Sequence, residues 1–108
     1  MEWIEELRDR RSLDADITRK ILERHGERGK RGIDAVSEQR VKKYMDFVVV
    51  VGRHDEYVIE DDSCTCEDFR YNLGGEGLCW HVIAKKIAFA TDSVDEHDMW
   101  YSEVRDFL

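Results

Sequence analysis

Cys64-Thr65-Cys66, twelve intervening residues, then Cys79-Trp80-His81: this C-x-C…C-x-H array uses every cysteine of the chain. Two close pairs of ligands joined by a short loop are what a tetrahedral Cys3His zinc ion requires, because each pair supplies one edge of the tetrahedron and the loop closes the other side. A full set of four protein ligands describes a closed structural site, whereas a catalytic zinc keeps one position open. Thiolate-rich sites also hold iron, but an isolated Cys3His set with no further cysteine suits Zn2+ better. His54, His97 and Asp68 also carry ligand chemistry, yet a turn, a helix surface and a loop carboxylate explain them more simply.

Outward from the array, the C-x-C pair is expected just after a strand, with a bend that aims both sulfurs inward. Cys79 is expected just before a helix and His81 in its first turn, where free backbone N–H groups can steady the thiolates. Composition makes Trp80 to Ala90 that helix, with Ile83, Ala84, Ile87 and Ala88 on one face and Lys85 and Lys86 on the other. The glycines of Leu73-Gly74-Gly75-Glu76-Gly77 let the finger loop turn back, and no Lys-Ser/Thr follows that would make them a phosphate loop.

Upstream, the pattern predicts strands over Ile33–Ser37, Arg40–Val51 and Glu56–Glu60, the last two joined by the polar turn Gly52-Arg53-His54-Asp55. Phe47 to Val51 is continuously apolar, which predicts a central strand covered by the zinc-bearing helix on one face and by the N-terminal helices on the other. Trp3, Ile4 and Leu7 form one helical stripe, and Leu13, Ile17, Ile21 and Leu22 a second, capped by Ser12 or Asp14 and stopped by Gly26. Gly26 to Gly32 reads as a flexible connector. Downstream, Thr91-Asp92-Ser93 ends the finger helix, and Ser93 with Glu96 has capping-box spacing for a last helix bearing Met99 or Trp100, Val104 and Leu108. Trp3, Trp100, Tyr101 and Phe107 read as packing residues. The expected architecture is α+β: an antiparallel hairpin or three-stranded sheet, a zinc knuckle and a following helix, flanked by helices at both ends. Its stretches are 1–32 (helices and connector), 33–91 (hairpin and finger) and 92–108 (last helix), all in one compact domain.

A chain of 108 residues supports only a small core, so a metal staple is a natural supplement. The longest apolar run, Phe47 to Val51, is too short to cross a bilayer, and Met1 to Arg11 lacks the pattern of a signal peptide. The expected location is therefore cytoplasmic, where three thiols serve a metal rather than disulfides. The net charge of −8 is uneven: residues 1–45 carry 12 basic and 10 acidic side chains, residues 46–108 carry 5 and 15. Residues 19–43 alone hold a charge of +5, from nine basic and four acidic side chains, a patch that can sit on phosphates or remain a solvated face. Glu60-Asp61-Asp62 and Glu67-Asp68, beside the ligands, would repel a phosphate backbone and suit a basic protein.

C-x-C, a loop and C-x-H, preceded by a strand pair and followed by an apolar helix, resembles the SWIM zinc finger over Lys42 to Ala90. Glu56-Tyr57-Val58-Ile59 resembles the strand entering the motif, Cys64-Thr65-Cys66-Glu67-Asp68-Phe69 its knuckle and Cys79-Trp80-His81-Val82-Ile83-Ala84 its exit helix. The whole chain is similar to small stand-alone archaeal SWIM proteins. The resemblance implies metal ligands at Cys64, Cys66, Cys79 and His81, with Phe69 as the aromatic packed under the knuckle. Many members have Lys where this chain has Trp80, which weakens a DNA reading of the finger and leaves Trp80 to stack on a base or pack on a protein. The resemblance further implies DNA or protein binding and no catalysis. Two functions are expected from it: a non-enzymatic protein-interaction adaptor with a recombinase, chromatin or transcription component as partner, or a DNA-binding module. Arg28, Lys30, Arg31, Lys42, Lys43, Trp80, Lys85 and Lys86 are the expected contact residues, with no small-molecule substrate and no membrane.

Overall fold

The computed structural model describes residues 2–73 and 77–105; Gly74, Gly75 and Glu76 of the finger loop, and Phe107 and Leu108, lie outside them. Helix α1 (Glu2–Arg10) buries Trp3, Ile4 and Leu7 as their spacing predicts, whereas of the second expected stripe α2 (Ala15–His25) buries Ile17 and Ile21, with Leu13 ahead of the helix and Leu22 exposed. Asp14, not Ser12, caps α2 by accepting the Ile17 N–H at 2.9 Å. Gly26 ends α2 at φ +60°, a left-handed conformation that costs glycine nothing.

The chain does not then become a connector. Glu27–Ser37 is a third helix, α3, replacing both the expected flexible segment and the expected strand at Ile33–Ser37. Gly29, Gly32 and Ala35, three residues apart, form its buried side-chain-poor face. A Cβ on Gly29 would lie 2.9 Å from Ile21 Cγ2, and one on Gly32 2.8 Å from Ile83 Cγ2. These glycines mark close helix approach, and the packing outweighs a helix-propensity cost of about 1 kcal/mol each.

Five strands follow in the sheet order β4-β3-β2-β1-β5. Arg40–Val51 divides into an antiparallel hairpin, β1 (Val41–Lys43) and β2 (Val48–Val51), with Val41 opposite Val50. Strand β3 (Glu56–Glu60) pairs antiparallel with β2, and β4 (Ser63–Cys64) with β3. Strand β5 (Asp95–Glu96) adds in parallel to β1. The capping box at Ser93 is therefore not formed: Glu96 belongs to the sheet, and the Ser93 hydroxyl meets that of Thr91 at 2.8 Å. The last helix is the single turn α5 (Tyr101–Val104), anchored from the β1–β2 turn by the Asp46 carboxylate, which accepts the N–H groups of Tyr101 and Ser102. Replacing Asp46 with alanine is expected to cost about 1 kcal/mol of stability in urea denaturation, the usual value of a lost helix cap.

Strand β2 is central, as its composition predicts, but its second face is covered differently. Val50, with Val41, Ile59 and Cys64, packs on Val82, Ala84 and Ala88 of α4 (Trp80–Ala90). Val49, on the opposite face, packs with Tyr44 and Tyr101. The N-terminal helices lie instead behind α4, where Trp3, Ile4, Leu7, Ile17 and Ile21 enclose Ile83 and Ile87. Helix α4 is thus apolar on both sides and buried between two cores. No described helix is long and apolar enough to cross a membrane.

Trp3 also donates its indole N–H to His25 Nε2 at 3.0 Å, which needs the neutral imidazole. Burial, with the charge of Arg24, pushes the His25 pKa below its ordinary 6.5. Because the folded value is the lower one, the neutral ring favours folding above about pH 6.5, and that contribution is lost as pH falls through the folded value. A His25→Asn variant should therefore show a shallower loss of stability than the parent over that window, read from urea midpoints against pH.

Candidate metal centre

The finger is built from the end of the sheet and the start of α4. The β3–β4 hairpin turns on Asp61, at φ +52°, and sets Cys64 opposite Ile59. The chain then bends at Thr65 and Cys66, where the Thr65 N–H reaches Val58 O at 3.2 Å and the Thr65 hydroxyl accepts the Val58 N–H at 3.1 Å. Cys64 and Cys66 are buried and Thr65 is exposed, so the bend expected just after the strand leaves both sulfurs on the inner side. The chain curls on into a turn of π-helix at Asp68–Asn72, with the Phe69 N–H 3.3 Å from Cys66 Sγ. Phe69 packs against the core formed by the sheet and α4.

On the other side, Cys79 occupies the N-cap of α4 and His81 its first turn. Cys79 makes no side-chain capping hydrogen bond, but the Val82 N–H in the first turn of α4 is among the groups that draw its thiol down. The ligand atoms of Cys64, Cys66, Cys79 and His81 all lie within 4.8 Å of one another, and all four residues are buried. A tetrahedral ion with Zn–S bonds of about 2.3 Å holds its sulfurs about 3.8 Å apart, so the cluster has the right size.

Electrostatics supports the same fit. Three buried sulfurs this close cannot all be thiolates without a cation among them. Cys79, hydrogen-bonded by Cys64, is drawn down to about 4, while Cys64 is pushed up by that bond and by burial, and Cys66 by burial. His81 is 3% exposed, and neither ring nitrogen has a hydrogen-bond partner among the described residues. Leaving a buried polar atom unpaired costs about 1–3 kcal/mol, which metal coordination would remove. The ring is held in place by Trp80 at 3.7 Å and Tyr57 at 4.2 Å between centroids.

An uncharacterized protein of Archaeoglobus fulgidus is 37% identical to this chain over 99 residues, which make up 92% of this chain and 87% of that protein. The SWIM zinc finger family model matches residues 44–85, a span that contains all four ligands. The chain belongs to the SWIM zinc finger family. No solved structure matches it. The SWIM span begins in the β1–β2 turn and ends within α4, so α1, α2, α3, β1, the end of α4, β5 and α5 lie outside it.

The expected contact residues of this SWIM protein do not form one basic surface. Arg28, from α3, makes a two-pronged ion pair with Asp68 at 2.8 and 2.9 Å. Lys86 meets Asp62 at 2.7 Å, and Lys85 donates to the Asp61 carbonyl at 2.9 Å. Lys30 pairs with Asp34, Arg31 with Glu27 and Lys42 with Asp95. Lys43 is exposed and makes no ion pair among the described residues. Trp80 is half-buried, with the Arg40 guanidinium 5.5 Å from its ring. Of the extra ligand candidates, Asp68 is held by Arg28, His97 contacts Asp95 at 3.0 Å, and His54 is exposed.

The Arg28–Asp68 tie has no signal in the sequence, since forty positions separate its partners. Arg28 holds the Asp68 carboxyl down to about 2. Asp68 therefore contributes stability above about pH 3.9, lost as pH falls toward 2. The pair also fixes the knuckle behind Cys66. Arg28→Ala should lower zinc affinity by about tenfold in a competitive chelator titration, the effect of removing a support behind a metal ligand, while the unfolding free energy of the loaded protein drops by only about 1 kcal/mol.

Proposed function

We propose that this SWIM protein is a non-enzymatic adaptor, its zinc finger acting as the rigid frame that presents a surface to another protein in DNA recombination, repair or transcription. The observation that carries this reading is the fate of its cations. Around the finger, Arg28 and Lys86 are spent on the Asp68 and Asp62 carboxylates and Lys85 on the Asp61 carbonyl, leaving the exposed Arg70 as the finger's cation without an ion pair among the described residues, in a protein of net charge −8. Phosphate binding needs cations free to replace counterions. The four-ligand set would fill a tetrahedral ion and leave no position for a substrate, which supports the absence of catalysis.

A second reading, nucleic-acid binding, is favoured by one place. The groove beside Trp80 is lined by Arg31, Arg40 and Arg53, a cationic flank to a stacking ring, although Glu27, Asp34 and Glu38 line it too. Filter binding to single- and double-stranded DNA across a salt series separates the readings. The adaptor predicts no retention even at low salt; retention that falls steeply as salt rises would replace it with the second reading. Affinity capture from native extract, with nuclease treatment, should then leave a protein partner bound.

A further inference from the structure

Next to the finger, Asp62 and Asp68 are ion-paired within the molecule; the exposed acids of a second region are not. Residues 92–108 hold six acidic side chains and one basic, Arg105. Of these acids, Glu96, Asp98 and Glu103 are exposed and make no ion pair among the described residues. They surround a surface where the β1–β2 turn and the segment before α5 are stitched together: the His97 N–H donates to Lys43 O at 2.8 Å, Met45 N–H to Met99 O at 3.0 Å, and Tyr101 N–H to Asp46. This stitching brings three large apolar residues into one neighbourhood, all open to solvent: Met45 at 56%, Met99 at 43% and Trp100 at 45% exposure. The sequence pattern placed both Trp100 and Tyr101 in packing; only Tyr101 packs, buried against Tyr44 with its hydroxyl on Glu56, while Trp100 is exposed. Beside them runs a shallow groove of about 440 Å³ whose lining includes Tyr44, Met45, Glu96 and Asp98.

Exposed sulfur and aromatic side chains gathered at one place mark an interaction surface, and tryptophan is the residue most often found carrying binding energy at such surfaces. Charge selects the occupant. Glu96, Asp98 and Glu103 outnumber the nearby cations Lys43 and Arg105, so an acidic segment or a phosphate backbone is repelled and a basic one attracted. We propose that Met45, Met99 and Trp100, ringed by Glu96, Asp98 and Glu103, form the docking surface for a partner-protein segment carrying a large apolar side chain flanked by lysine or arginine. The apolar anchor seats against Trp100 and the two methionines, and the flanking cations meet the carboxylates. This deepens the adaptor reading and rests on it, and it places the contact at the β1–β2 turn and the segment before α5 rather than at Trp80.

The test is selection of phage-displayed random peptides on the zinc-loaded full chain, followed by affinity measurement for the winners. Expected are basic peptides with an apolar centre whose affinity falls about tenfold or more on Trp100→Ala, falls again on Asp98→Lys, and weakens as salt is raised. Circular dichroism and the thermal midpoint show whether Trp100→Ala stays folded; Asp98→Lys, at an exposed position, tests the charge ring independently. Peptides that bind Trp100→Ala and Asp98→Lys as well as the parent, or that are acidic, overturn the proposal. If such peptides are instead lost on Trp80→Ala, the adaptor reading survives and only the location fails. A concentration-dependent dimer dissolved by Trp100→Ala would assign the face to a second copy and overturn the proposal. No selected peptide at all, together with DNA retention on filters, would remove both this surface and the adaptor.

Discussion

Stripping the metal from the loaded protein with a strong chelator is expected to shift its tryptophan emission and lower its thermal midpoint by tens of degrees. Apparent binding free energies for structural zinc in small fingers are about 10–16 kcal/mol, against a whole-domain stability of about 5–15 kcal/mol. The loss is not confined to a loop, because Cys79 and His81 begin α4, and α4 is the element both cores share. Without the ion, three sulfurs and an imidazole with no hydrogen-bond partner remain buried at the junction of sheet and helix. Trp80 reports the event directly, since its ring stacks 3.7 Å from His81. Trp3, sealed in the other core and bonded to His25, reports whether the disturbance travels through α4. Cys79→Ser should reproduce the chelated state, and Trp80→Phe should remove the early part of the emission change. An unchanged spectrum and midpoint after metal loss, verified by elemental assay, would show that packing alone holds the finger.

The ligand array and the helices around it were legible because each rests on local chemistry. Two paired ligands have one plausible use, Trp3–Ile4–Leu7 has one helical face, and Asp14 and Gly26 sit where caps belong. What misled was residue type taken without its partner. Gly29 and Gly32 look like flexibility until Ile21 and Ile83 are set against them, and Ile33 and Val36 look like strand formers until they pack on α3's neighbours. Glu96 has the spacing of a capping box, but β1 offered an open edge and took residues 95–96 into the sheet. Asp46 instead caps α5 from fifty-five positions away, a relation no local pattern carries. The basic segment 19–43 was similarly ambiguous: its charges were countable, but that Arg28 and Lys42 are held by Asp68 and Asp95 depends on the fold.

The contact between α3 and α4 gives the second large effect. Gly32→Val is expected to destabilise the loaded protein by about 2 kcal/mol or more, although valine is the better helix former by a few tenths of a kcal/mol. A Cβ at this position already lies 2.8 Å from Ile83 Cγ2, and 3.2 Å from both Ile83 Cβ and the backbone nitrogen of Ala84. The side chain of Ile83 has nowhere to retreat, because Trp3, Leu7, Ile17 and Ile21 are packed around it. The helices must therefore separate, and α4 cannot move without carrying Cys79 and His81 off the positions that match Cys64 and Cys66. Zinc affinity should fall together with stability, a pairing that distinguishes helix displacement from a simple local clash. Ile83→Ala alone should cost about 2–5 kcal/mol as a cavity. Combined with Gly32→Val it should cost less than the sum of the two, since the new methyls enter the space Ile83 vacated. Urea denaturation of the four proteins in a double-mutant cycle, with chelator titrations alongside, reads all of this. Strict additivity, or a Gly32→Val protein as stable as the parent, would mean that α3 is not what holds the start of α4 in place.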